Sequence, residues 1–218
     1  MKQFLHSHYY GVFANAYEKI RESQSHWHAE HAAVVALLTR YSGMKVLDCP
    51  VGTGRFIPLY SQLGCTLVGA DISTDMLNEA KKKAERLSYH DLNLIQADAA
   101  ETVFGNIDIA ISVRFLNLVP ADTAIKIIQN LARATNKAMI LHVTSIDMNA
   151  VPHLDRTAID AQVDADYSRQ KSEMAFASHR LADFIDWTTK AGFKIERSIE
   201  CQERHGHSRT HMHHLVKM

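Results

Sequence analysis

Residues 46–56 read Val-Leu-Asp-Cys-Pro-Val-Gly-Thr-Gly-Arg-Phe, and residues 67–73 read Leu-Val-Gly-Ala-Asp-Ile-Ser. An apolar run ends in Asp48, a Gly-x-Gly turn opens onto a helical pattern, and a second apolar run ends in Asp71. Few folds accept that order. It is the sequence form of a β-α-β nucleotide cradle: Gly52 and Gly54 allow a tight turn and close approach to a ligand, and the N–H groups that open the next helix face the bound group. Asp71, at the tip of the second strand, is placed to accept hydrogen bonds from a ribose diol.

The rest of the chain keeps the same rhythm. Strands are expected at Lys45 to Cys49, Thr66 to Asp71, Leu92 to Gln96, Ile107 to Val113 and Ala138 to Thr144, each rich in Val, Ile and Leu as parallel strands covered on both faces are. Helical patterns fall near Arg55 to Leu63, Thr74 to Leu87 and Asp122 to Thr135, after an earlier one from Trp27 to Tyr41 that Gly43 stops. Ser73 can cap the second of these, which sets Met76, Ala80, Ala84 and Leu87 on one face. Residues 145–178 are polar and irregular. A helix from Arg180 to Lys190 follows, then strands Phe193 to Cys201 and His211 to Lys217, joined by a hairpin around Gly206. Two hairpin-linked strands cannot both run parallel to the others.

The run Asp71-Ile72-Ser73-Thr74-Asp75-Met76-Leu77, together with the glycine turn, resembles motifs I and II of the class I S-adenosylmethionine-dependent methyltransferases. The resemblance implies an α/β, Rossmann-like fold: a seven-stranded, mostly parallel, doubly wound sheet with a C-terminal antiparallel hairpin. It implies S-adenosyl-L-methionine as cofactor. Asp48 would hold the loop and the methionine amino group, Cys49, Pro50, Gly52 and Gly54 would form the backbone cradle, Asp71 would hold the ribose, and Ile72 with Met76 would flank adenine. Asp98-Ala99 resembles the family's adenine-contacting pair, and Ser112 closes the cofactor side. Where the family commonly has Gly this chain has Pro50, which has no N–H to offer and contacts a ligand only through its carbonyl or by packing. The rival dinucleotide fold needs a small residue at position 57, where Ile57 stands.

For the transfer step the fourth strand carries Arg114 and Asn117 to the presumed methyl group; the alternative is that they fix the loop by hydrogen bonds. Residues 13–18, Phe-Ala-Asn-Ala-Tyr-Glu, look like the N-terminal segment that folds over the cofactor in small-molecule methyltransferases, and Tyr17 would set an aromatic face near the transferred group. His142, His153 and His179 are candidates for a base. The clusters His26, His28, His31 and His205, His207, His211, His213, His214 read as surface and hairpin residues with no metal-ligand closure.

Lys plus Arg equals Asp plus Glu at 24 each, which leaves no excess positive charge for a nucleic-acid backbone. The three cysteines are scattered and read as free thiols of a cytoplasmic protein, and no run of about 18 apolar residues is present. One domain is expected: residues 1–43 as a helical cap, 44–144 as the cofactor core, 145–178 as a variable substrate cap, and 179–218 as the last helix and hairpin. The acceptor is expected to be a small molecule; the alternatives are a protein or RNA acceptor, or a cofactor-binding protein that does not transfer methyl or that lyses or cyclises the cofactor.

Overall fold

A computed structural model describes residues 25–146, 179–204 and 208–218. Tyr17, His153, His205, Gly206 and His207 lie outside the described residues, as do residues 1–24 of the first cap and 147–178 of the second. The described chain runs α1 (Ser25–Leu38), β1 (Lys45–Asp48), α2 (Ile57–Gln62), β2 (Thr66–Asp71), α3 (Thr74–Arg86), β3 (Leu92–Gln96) and β4 (Ile107–Ser112). It continues with α4 (Ala121–Ala134), β5 (Thr135–Ile146), β6 (His179–Arg180), α5 (Leu181–Lys190), β7 (Phe193–Arg204) and β8 (Ser208–Lys217).

The sheet order is β3-β2-β1-β4-β5-β8-β7. Strands β1 to β5 pair in parallel, while β8 lies antiparallel between β5 and β7. The expected mixed sheet is therefore present, with one addition. The pairing of β4 with β5 stops at Ser112–Leu141, and β6 takes up β5 further along at Ser145 and Ile146. A two-residue strand carries no periodicity, so nothing in the sequence marks it.

Side chains alternate across the sheet and divide the core in two. Ile109, Ile111, Ala138 and Ile140 pack with Val34, Leu37 and Leu38 of α1 and Tyr60 of α2, whereas Ile107, Ala110, Met139 and Leu141 pack with Ile127, Ile128 and Leu131 of α4 and Phe184 of α5. Helices thus cover both faces, as parallel strands require. Ser73 caps α3, its Oγ accepting from Met76 N–H at 3.3 Å. Met76, Ala80 and Ala84 are buried as the helical spacing predicts, but Leu87 is 43% exposed because α3 ends at Arg86 and Leu87 sits at its C-cap.

The histidine reading needs correction. His213 and His214 are buried, because β8 is an interior strand covered on both faces. His213 lies against Phe184, with ring centroids 5.0 Å apart, and its Nδ1 is 2.8 Å from Ser198 Oγ; burial and the neighbouring His211 and His142 push its pKa down to about 3. On the other face His214 Nε2 is 2.7 Å from Tyr41 Oη and its Nδ1 is 2.9 Å from Glu196 Oε2, which ties the short helix Thr39–Tyr41 to the hairpin. Among the described residues no group of three or more His, Cys, Asp or Glu is arranged to hold a metal.

Candidate functional site: a cleft at the strand ends

Three strands deliver their acids to one edge of the sheet. Asp48 closes β1, Asp71 closes β2, and Asp98 lies two residues beyond β3. They line two adjoining lobes of a cleft, with about 800 Å³ and 1180 Å³ of open space, and both lobes are bounded by Pro50, Asp71, Ile72 and Phe115. The first lobe also meets Asp48, Gly52, Met76 and Arg114, the second Cys49, Asp98 and Ala99.

The glycine turn is built around Asp71. Its Oδ2 accepts from Gly52 N–H at 2.9 Å and its Oδ1 from Ser73 N–H at 2.9 Å, so one carboxylate clamps the turn after β1 to the turn after β2. Gly52 takes φ +55° and Gly54 φ +76°, the left-handed region that suits glycine. The two glycines differ in surroundings. A Cβ on Gly54 would stand 2.4 Å from Ile57 Cδ1 and 3.1 Å from Ala80 Cα, whereas one on Gly52 would meet nothing within 4 Å. Ile57 thus fills the place where a dinucleotide turn needs a small residue. Gly54→Ala is expected to destabilise the fold by about 2 kcal/mol or more, from the left-handed backbone and the overpacking together. Gly52→Ala is expected to cost about 1 kcal/mol from its backbone alone and to weaken ligand binding in the cleft; paired urea melts and ligand titrations check both.

Burial dominates the electrostatics of this edge. Asp48 is 2% exposed, and desolvation raises its pKa to about 7, although the Tyr60 hydroxyl donates to its Oδ2 at 2.8 Å. Asp71 is raised to about 6 by burial, against the opposing backbone hydrogen bonds from Ser73 and Gly52. The Cys49 thiol is pushed well above its usual value by burial and then by Asp71, Asp48 and Asp98, so it stays protonated. Asp98 Oδ1 accepts from Ala100 N–H at 3.0 Å, and Asn130 of α4 donates to Ala99 O at 3.0 Å, which fixes the far lobe.

A second constellation, not visible as a motif, forms the wall beside the first lobe. Glu30 of α1 is 1% exposed. Its Oε2 is 2.9 Å from Arg55 Nη1, and its Oε1 is 3.6 Å from Arg114 Nε and 3.2 Å from His142 Nε2. Burial favours its neutral form, yet His142, Arg114 and Arg55 outweigh burial and hold its pKa down to about 2. Arg55 stacks on Trp27, its guanidinium carbon 3.4 Å from the ring centroid, and donates to Trp27 O. His142 Nδ1 accepts from Arg114 N–H at 3.3 Å, which leaves the ring proton on Nε2 beside Glu30. Both nitrogens of His142 therefore face protein groups, and it acts as a positioning residue for the end of β4. His179 Nε2 donates to Leu116 O at 2.8 Å and so anchors the short helix Leu116–Leu118 that carries Asn117. Glu30 was readable in principle: it is the only acid of α1 and stands on the apolar stripe of Trp27, Val34 and Leu37.

Residues 46–138 match the family described as methyltransferase domain. The match covers less than half of the chain, and over it the chain is similar to a methyltransferase domain. The chain is 32% identical over 93 residues to a malonyl-[acyl-carrier protein] O-methyltransferase of Pectobacterium atrosepticum, a match that spans 41% of this chain and 36% of that protein. A phosphatidylethanolamine N-methyltransferase of Cereibacter sphaeroides is 28% identical over 131 residues, 59% of this chain and 60% of that one. Neither relative is spanned over two thirds of its length. The methyltransferase fold extends past the matched residues: magnesium protoporphyrin IX methyltransferase from Synechocystis PCC 6803, solved with bound SAH, superposes with TM-score 0.67 and 24% identity, covering 88% of this chain and 84% of that chain.

Three buried polar atoms, Arg114 Nη1 in the cleft wall and Ser112 Oγ and Asn117 Oδ1 on the chain beside it, have no hydrogen-bond partner among the described residues. Such atoms are costly unless a ligand satisfies them. Carboxylates retain further acceptor sites beyond those used by the backbone, so Asp48 and Asp71 can each take ligand donors. This acceptor set fits a ligand that carries an ammonium group and a ribose diol.

Proposed function

We propose that this protein transfers a methyl group from S-adenosylmethionine to a small-molecule acceptor. The observation that carries this reading is the set of Asp48, Asp71 and Asp98 at three successive strand ends, opening on one cleft with the Gly52 turn held between the first two. S-Adenosylmethionine, when bound, supplies an electrophilic methyl group on a sulfonium. Asp48 would hold the methionine ammonium, Asp71 the ribose, Asp98 and Ala99 the adenine with Ile72 and Met76 beside it, and Cys49, Pro50, Gly52, Gly54 and Ser112 the walls.

The leaving group of a sulfonium is already activated, so the chain has mainly to align an acceptor and exclude water. Arg114 lines the first lobe for that task, Asn117 is buried between the lining residues Phe115 and Leu118, and Tyr17 is assigned to the same side from its sequence context. Residues 1–43 and 145–178 are proposed to set acceptor choice, and 44–144 the cofactor. No described helix is long and apolar enough to cross a membrane. Three buried free thiols, Cys49, Cys65 and Cys201, suit a cytoplasmic, reducing compartment.

A thermal-shift titration tests the reading. S-Adenosylmethionine and SAH are expected to stabilise the protein, by about 2.7 kcal/mol at a concentration a hundredfold above Kd, while NAD has no effect. Methylated product detected by mass spectrometry after incubation with small-molecule fractions completes the test. Stabilisation by NAD alone would overturn the assignment.

A further inference from the structure

Arg114 is the most constrained residue of the cleft wall. It takes φ +59°, a left-handed backbone that is costly for a side chain with a Cβ and that persists only where the surroundings enforce it. The enforcing contacts are present: the Arg114 N–H is held by His142 Nδ1, and the Arg114 side chain by Glu30. The strain points the residue at the first lobe of the cleft, which it lines.

Arg114 does not have its acid to itself. Among the described residues the one acid within ion-pair distance of Arg114 is Glu30, at 3.6 Å, and Arg55 holds that acid more closely, at 2.9 Å. Two guanidinium groups thus share one carboxylate. Arg114 Nη1 is buried without a partner, and Ser112 Oγ, two residues back on the same strand end, is equally buried and unpartnered. A partly buried, partly compensated guanidinium with an idle N–H is a receptor for an anion, and its planar fork matches a carboxylate or a phosphate. Asp48 and Asp71 line the same lobe, so a singly charged carboxylate meets less repulsion there than a doubly charged phosphate.

We infer that Arg114 receives a carboxylate group of a ligand in the first lobe, with Glu30 and His142 as the residues that hold it in place for that contact. The inference rests on the methyltransferase reading of the cleft. A carboxylate can come from the amino-acid end of the cofactor or from the acceptor, and in the second case the acceptors are carboxylic acids.

Two binding measurements on Arg114→Gln and Arg114→Gly separate the sources. Arg114→Gly removes the backbone strain, since glycine accepts φ +59°, and circular dichroism of both variants establishes that they fold. The first measurement compares SAH with 5′-methylthioadenosine, which lacks the amino-acid end. The second adds acetate, butyrate or benzoate, each beside its amide, to SAH-saturated protein.

If the cofactor supplies the carboxylate, both variants bind SAH about tenfold to a hundredfold more weakly and methylthioadenosine unchanged. If the acceptor supplies it, SAH affinity is unchanged, while at least one acid, and not its amide, raises the melting temperature of the wild-type complex and loses that effect in both variants. Wild-type protein that binds SAH, combined with variants that match it in every one of these comparisons, would overturn the inference and leave the methyltransferase reading standing. Wild-type protein that binds neither nucleoside would instead sink that reading, and this inference with it.

Discussion

Asp71→Asn is expected to weaken SAH binding by a hundredfold or more, although the substitution is isosteric. Both carboxylate oxygens accept backbone N–H groups, from Gly52 and from Ser73. An amide has a single oxygen, so one of these N–H groups would face an NH₂ group, donor against donor. The turn that carries Gly52 would then lose its clamp to β2, and the ribose would lose a charged acceptor. Each charge-assisted hydrogen bond contributes about 1.5–3 kcal/mol, so the loss of two accounts for the hundredfold figure. Calorimetric titration of SAH into the variant is the check, and wild-type affinity there would remove the second strand end from the site.

Asp48 should make both stability and binding depend on pH, in opposite directions. Its folded pKa, about 7, lies above the unfolded carboxylate value, so between about pH 4 and 7 the folded state holds a proton that the unfolded chain has released. Stability of the ligand-free protein is therefore expected to fall as pH rises through this window, by up to about 4 kcal/mol at 1.36 kcal/mol per pH unit. Asp71, raised to about 6, adds to the same trend. Glu30, held at about 2, acts with the opposite sign: its contribution is present above the unfolded value and is lost as pH falls toward 2. The ligand-free protein should thus be most stable near about pH 4, as urea melts across pH would register.

Binding of a ligand ammonium favours ionised Asp48, so SAH affinity is expected to rise about tenfold between roughly pH 6 and 8 as the ionised fraction grows. In Asp48→Asn both slopes should flatten. A wild-type SAH affinity that stays level over that range would show that Asp48 does not meet a charged group.

The cradle was legible because each of its parts is local. Apolar runs, a glycine turn and an acid at each strand tip fall within a few residues of one another, and the limits of β2 and β3 agree with the sequence reading to the residue. What the sequence concealed is set by chain segments far apart. Glu30 meets Arg55, Arg114 and His142 only once β1, β4 and β5 are in place, and no spacing rule connects position 30 with position 142. The histidines of β8 were misread for the same reason: a polar residue in a final hairpin looks exposed until the sheet order places that strand inside. The one available signal, an acid on the apolar stripe of α1, identifies a buried charge but not its partners.

The place of β8 also bears on how the chain folds. Strands β1, β2 and β3 are joined by short helical connections that can form as each segment collapses, but β5 finds its second neighbour only when residues 208–217 arrive, pairing Ala138 with Val216. Such non-local pairing is slow, because the entropy of closing a long loop is spent before the contacts form. Until it is complete, the edge of β5 carrying Met139, Ile140 and Leu141 stays open to any extended strand, including one from another copy of the chain. Ligand held at the opposite half of the sheet stabilises the finished state without hastening that last pairing, so yield on refolding should be governed by protein concentration and by the β7–β8 hairpin rather than by the cradle.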